Sequence, residues 1–265
     1  MIVDTKLIQF AHKLADEASA ISLKYYRSDN GEIEKEDQSP VTLADRQIEE
    51  KLRELIAEQY PNHGVIGEEY ENTNTDSDYQ WIIDPIDGTS SFIIGRPTFG
   101  NLIALSYQGK VVLGIINQPI NKERWLGVDD EEENSGAWFN DKPINTRKCA
   151  NIEDAVISST SPFFFGDDWG KFQELTKQAK YQKYGGVIYG GDCYSYALLA
   201  SGFVDIVVEP NLQVYDYAAL LPIVKAAGGM AGDWNCHELE MRSDVKFLAC
   251  ATPELYSKVC KIMRS

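Results

Sequence analysis

Positive charge is scarce in this chain. Lysine and arginine number 25 against 41 aspartates and glutamates, a formal net charge of -16 at pH 7. So negative a surface repels phosphate backbones and anionic headgroups, which argues against nucleic acid and membrane partners. Long apolar runs are also missing: nothing approaches the roughly 18–20 consecutive apolar residues of a spanning helix. The opening "MIVDTKLIQFAHKLADEA" lacks the basic segment and apolar stretch of a secretion signal. Histidine occurs three times (His12, His63, His237), never in H-E-x-x-H spacing or beside an evident serine nucleophile, so zinc hydrolysis and triad chemistry fall away. The five cysteines are odd in number and without C-x-x-C spacing, which fits neither a disulfide framework nor a zinc site. The expectation is unpaired thiols in a reducing cytoplasm.

What is present suffices for a large core: 265 residues, 43% of them hydrophobic. Leu7, Phe10, Leu14, Ala18, Ile21 and Tyr25 recur at three- and four-residue steps, predicting an amphipathic helix that stops near "RSDNGE". A second helix is expected after Pro40, with Thr42 as N-cap, Asp45 three residues on, and Ile48, Leu52 and Leu55 on its apolar face. Short apolar runs follow ("QWIID", "NLIALSYQGKVVLGIINQPI", "RWLGV"), read as strands with a hairpin at Gly109. Beyond "KPINTRKCANIEDAVISS" strands and helices alternate, so an α+β half, 1–147, precedes an α/β half, 148–265, the two packed as one unit. The acidic run Asp129 to Glu133 reads as a solvated loop tip, and Arg124 and Trp125 as strand surface and packing.

The stretch "WIIDPIDGT" (81–89) concentrates the chemistry. Its apolar residues suit a strand buried on both faces, which Pro85 would end while holding Asp84 extended. Asp84 and Asp87 then share a crevice where like charges repel unless a cation lies between them, and a hard divalent ion with oxygen ligands, the Ile86 carbonyl included, answers that need. Gly88 lets the backbone approach a ligand, and Thr89 opens a helix whose amides face an anion. Taken singly, each carboxylate has a bland reading: Asp84 and Asp87 as turn residues, Asp45 and Asp216 as helix caps, Glu68 and Glu69 as a loop edge. Their joint occurrence points to phosphate chemistry.

With "GEEY" (67–70), "DPIDGTSSF" (84–92) and "VYDYAALLPIVKAAGG" (214–229) in this order, the chain resembles the inositol monophosphatase family of metal-dependent sugar and cyclitol phosphatases. Tyr215 replaces the usual tryptophan, and "DWNCHEL" (233–239) lacks the usual glycine and proline. The resemblance implies a layered α/β/α/β/α sandwich and a homodimer. It implies metal ligands at Glu68, Asp84, the Ile86 carbonyl, Asp87 and Asp216 for two or three magnesium ions. It further implies a water-activating pair at Asp45 and Thr89, with Glu68 also catalytic, and phosphate held by the amides of Gly88, Thr89 and Ser90.

The segment "GGDCYSYALLASG" (190–202) bears on the substrate. Inositol-type members carry small uncharged residues there, whereas this chain presents Asp192. With "GIINQPI" and "ERWLG", the G-G-D-C-Y form is similar to the histidinol-phosphate phosphatase branch, and a cationic amino alcohol would reward Asp192. Its bland reading is an N-cap. Glu209 matches a substrate-contacting glutamate of inositol-type members and does not separate the branches. The expected reaction is magnesium-dependent hydrolysis of a small phosphate monoester, L-histidinol phosphate first and inositol 1-phosphate second. A bisphosphate nucleotidase, a fructose-bisphosphatase and a non-catalytic phosphometabolite-binding relative rank lower.

Overall fold

The computed structural model describes residues 3–28, 33–34, 40–41, 43–130, 135–179, 186–239 and 241–264. The expected N-cap Thr42 and the residues 131–133 of the acidic run lie outside them. In chain order come α1 (Thr5–Tyr25), the pair β1 (Ile33–Glu34) and β2 (Pro40–Val41), α2 (Leu43–Gln59), β3 (Gly64–Gly67), β4 (Tyr79–Asp87) and the five-residue α3 (Thr89–Ile93). Then follow β5 (Gly100–Tyr107), β6 (Lys110–Gln118), β7 (Glu123–Val128), β8 (Gly136–Phe139) and β9 (Lys142–Pro143). The remainder holds β10 (Ile157–Ser159), α4 (Trp169–Gln178), β11 (Val187–Tyr189), α5 (Asp192–Ala200), β12 (Ile206–Leu212), α6 (Val214–Tyr217), α7 (Leu220–Ala226), β13 (Met230–Asp233), β14 (Val245–Cys250) and α8 (Pro253–Met263).

Among the described residues β3 to β9 form one sheet in sequence order, and a second sheet runs β11-β10-β12-β14-β13. Because side chains alternate along a strand, β4 sends Trp81 and Ile83 to one face and Ile82 to the other. The first face packs on α1 and α2, through Leu14, Ala18, Ile48 and Leu52. The opposite face packs, with one face of the second sheet, around α5 and α7. The last face of the second sheet is covered by α4 and α8, around Phe172, Leu248 and Val259. These three cores make the α/β/α/β/α order that the resemblance implies. Gly127 in β7 shows how closely the layers meet, since a Cβ there would collide with the backbone of Ile223 in α7.

The helix over α1 and the hairpin at Gly109 stand as the sequence predicts. Three expectations are corrected. Pro85 does not end its strand: β4 continues to Asp87 through a bulge between Asp84 and Asp87, the setting in which a sheet tolerates proline. Asp130 is not a solvated loop residue but is buried, accepting from the Val3 amide at 3.3 Å and the Ser135 hydroxyl at 3.1 Å. The cysteines are not all unpaired, because the turn after β13 brings Cys236 against α8, where it forms a disulfide with Cys260. Spacing rules see only neighbours in the chain, and 24 residues separate these two. Among the described residues no helix is long and apolar enough to cross a membrane.

Candidate active site

The bulge of β4 delivers the central carboxylates. Asp84 is buried, Asp87 follows on the far side of the bulge, and Asp216 enters from the first turn of α6; one oxygen of each lies within 4.8 Å of the others. Asp216 also accepts from the Gln213 amide at 2.7 Å, so it caps its helix and joins the cluster at once. Asp87 accepts from the Cys193 amide at 2.6 Å, tying the end of β4 to the start of α5. Glu68 and Asp45 stand outside this group of three, yet both charges act on Asp84. The turn bearing Glu68 is held by a residue absent from the sequence analysis: buried Glu49 of α2 accepts from the Glu69 amide at 2.8 Å and pairs with Arg53 at 2.8 Å.

Beyond the bulge Gly88 adopts φ of 82° and leads into α3. A side chain there would be strained and would reach Asp192 Oδ2 at 2.7 Å. The Thr89 hydroxyl donates to the Ile86 carbonyl at 3.0 Å. Gly88, Thr89 and exposed Ser90 border a cavity of about 320 Å³ that Glu68, Arg96 and Asp192 also line. A second cavity of about 240 Å³ is bordered by Asp87, Asp192, Glu209 and Asp216, and both are lined by Thr160 and Phe164.

The electrostatics of the cluster follow from burial and from the mutual repulsion of its carboxylates. The Asp84 carboxyl is pushed well above the carboxylate range by burial first, then by Glu68, Asp87, Asp216 and Asp45. Asp87 moves the same way through burial and the charges of Asp192 and Asp216, against the opposing hydrogen bond from Cys193. Asp216 is pushed up to about 7, chiefly by burial, with the Gln213 amide opposing. Glu209 rises to about 8, again chiefly by burial, while the Thr160 amide that donates to it pulls the other way. Asp192 is raised by burial but lowered by the Ser91 hydroxyl, which donates to it at 3.1 Å, and by the charge of Arg96. Sequence patterns missed the roles of Arg96 and Ser91 beside Asp192 because Asp192 lies about a hundred positions along the chain from both.

A divalent cation fits this donor set. The donors are hard oxygens, the three carboxylates converge, and Asp84 Oδ1 is buried with no hydrogen-bond partner among the described residues. Such an oxygen is otherwise costly to bury.

Residues 4–265 match the inositol monophosphatase family. The chain is 43% identical over 238 residues to the chloroplastic bifunctional phosphatase IMPL2 of Arabidopsis thaliana, covering 88% of this chain but only 66% of that protein. It is 35% identical over 232 residues to a histidinol-phosphatase of Chlorobaculum parvum, covering 86% of each. A solved structure of an inositol monophosphatase from Zymomonas mobilis superposes with a TM-score of 0.85 at 39% identity, covering 97% of each chain. This chain therefore belongs to the inositol monophosphatase family, whose members are metal-dependent phosphatases, and is a phosphoric monoester hydrolase.

Proposed function

We propose that the protein hydrolyses L-histidinol phosphate to L-histidinol and phosphate with magnesium as its cation. One observation supports this choice above the others: two carboxylates, the buried Glu209 and the half-buried Asp192, border the cavity into which Asp87 and Asp216 also face. Such a chamber favours a substrate whose alcohol portion carries positive charge, because hydrogen bonds to charged groups contribute roughly 1.5–3 kcal/mol. The similarity to histidinol-phosphatases agrees with it.

In this reading Glu68, Asp84, the Ile86 carbonyl, Asp87 and Asp216 hold two or three ions. Bound there, the ions supply positive charge to the phosphate and lower the pKa of water. The amides of Gly88, Thr89 and Ser90 orient the phosphate. Asp45 and Thr89 receive the proton of the attacking water: the Thr89 hydroxyl turns from the Ile86 carbonyl to pass its own proton to the Asp45 carboxylate as it takes that of the water, and Glu68 helps to orient that water. The phosphorus–oxygen bond to the alcohol breaks as the new one forms, and the departing oxygen takes a proton from solvent. Asp192 and Glu209 hold the alcohol portion. The exposed Phe163, Phe164, Ile188 and Tyr189 supply an apolar surface suited to a homodimer.

Inositol 1-phosphate is the second reading, supported by the similarity to the Zymomonas mobilis enzyme over nearly the whole chain. Phosphate release from both esters, with and without millimolar magnesium, separates the two. The expected result is a higher kcat/KM for L-histidinol phosphate and no release without a divalent cation; a preference for inositol 1-phosphate rejects the assignment.

A further inference from the structure

The bulge that presents the proposed metal ligands is itself held by a chain of side chains outside the site. On β5, Leu102 pairs with Asp84 and Gly100 with Asp87, so Asn101 alone faces Pro85 and Ile86. Asn101 is fully buried and donates from Nδ2 to the Pro85 carbonyl at 2.6 Å. Its Oδ1 accepts from Asn117 Nδ2 at 2.9 Å, and Asn117 Oδ1 accepts from Arg124 Nε at 2.9 Å. Helix α1 brackets the chain, with the Ser22 hydroxyl accepting from Asn101 at 3.0 Å and the Ser19 hydroxyl from Asn117 at 2.8 Å. Arg124 is held at the far end by Asp16 at 2.7 Å and by His12 Nδ1 at 3.2 Å.

The direction of this chain is forced from one end. An amide side chain can present either its oxygen or its nitrogen, but a guanidinium only donates. Arg124 therefore requires the oxygen of Asn117, which turns the Asn117 nitrogen to the Asn101 oxygen and the Asn101 nitrogen to Pro85. Reversing either amide would bring like groups together in a buried place, at a penalty of about 1–3 kcal/mol for each unsatisfied group.

The geometry points to Asn101 as a positioning residue for the metal centre, with Arg124 setting its orientation through Asn117. By fixing the Pro85–Ile86 peptide, Asn101 sets the directions in which Asp84, Ile86 and Asp87 present their oxygens. The inference rests on the metal-dependent reading above. Groups behind metal ligands typically change affinity by about 10–100-fold when lost.

Magnesium binding measured by calorimetry on the full-length protein, with melting temperature recorded in EDTA and in magnesium, tests it. Asn101→Leu is expected to weaken magnesium binding by about tenfold and to shrink the magnesium-induced rise in melting temperature. Arg124→Gln, which no longer enforces one amide orientation, is expected to weaken binding about threefold, a fraction of that effect, while Arg124→Lys, still only a donor, stays near the parent. Parental affinity and a parental magnesium-induced rise in Asn101→Leu, with a lower melting temperature in EDTA, would show a merely structural role and overturn the inference. Should Asn101→Leu not fold, equal affinities in Arg124→Gln, Arg124→Lys and the parent overturn it. A parent that binds no magnesium overturns this inference together with the metal-dependent reading, whereas a parent that binds with unaffected variants overturns this inference alone.

Discussion

The carboxylates at the end of β4 and those at the start of α5 and on β12 are equally buried in kind but differently compensated. Asp84 is surrounded by four other carboxylates, each of which adds to the upward shift that burial imposes on it. Asp192 has the Ser91 hydroxyl and the Arg96 charge to oppose burial, and Glu209 has the Thr160 amide. Among the described residues the first region gathers like charges that a divalent cation would compensate. The second carries part of its own compensation, from the Arg96 charge and from hydrogen bonds donated by Ser91 and Thr160.

Removing a carboxylate from each region should therefore have unlike consequences for activity. Asp87→Asn should lower phosphate release by about 10³-fold or more, since the proposed metal ligands lose a carboxylate, while the melting temperature in EDTA stays level or rises because one repelling charge is gone. A large drop in that melting temperature would instead make Asp87 a structural residue. Asp192→Ala should lower kcat/KM for L-histidinol phosphate by about 10–100-fold, the equivalent of roughly 1.5–3 kcal/mol, and for inositol 1-phosphate far less. Equal losses on the two esters would remove Asp192 from the specificity argument.

Glu209 sharpens the comparison through pH. Its folded pKa of about 8 exceeds the ordinary 4.5, so between those values the folded protein keeps a proton that the unfolded chain has released. Stability of the metal-free, substrate-free protein should consequently fall as pH rises through that window, by on the order of a few kcal/mol. Glu209→Gln should flatten the profile; a slope unchanged in urea titrations at pH 5 and 8 would contradict this origin. The smallest effect is expected at the seam between the regions, where Gly88→Ala should cost about 1–2 kcal/mol through its left-handed backbone, with further loss from the approach to Asp192. A melting temperature equal to the parent's would show that the seam has more room than its geometry implies.

Much of this was legible in the chain itself. The three- and four-residue spacing from Leu7 to Tyr25 is a property of neighbours, and α1 follows it. The hydrophobic run before Asp84 required a buried strand, and burial of that strand placed Asp84 and Asp87 together. The choice between cap and site was falsely posed for Asp216, which serves in the capping box of α6 and lies in the cluster, whereas Asp192 is no N-cap, that place being taken by Gly191. The bulge at Pro85, the burial of Asp130 and the Cys236–Cys260 bond were not legible, because each depends on a partner brought from a distant element. Arg96 beside Asp192 and the chain from Arg124 to Pro85 escaped for the same reason.

By itself the sequence determined the main helices and strands and the presence of a set of acids too concentrated to be buried without a cation, since periodicity and like-charge repulsion act locally; the order of the layers came with the family resemblance. Only the tertiary structure decided how those acids are oriented and which of them are compensated. That outcome depends on hydrogen bonds between side chains up to about a hundred positions apart, as between Ser91 and Asp192, which are 101 residues apart.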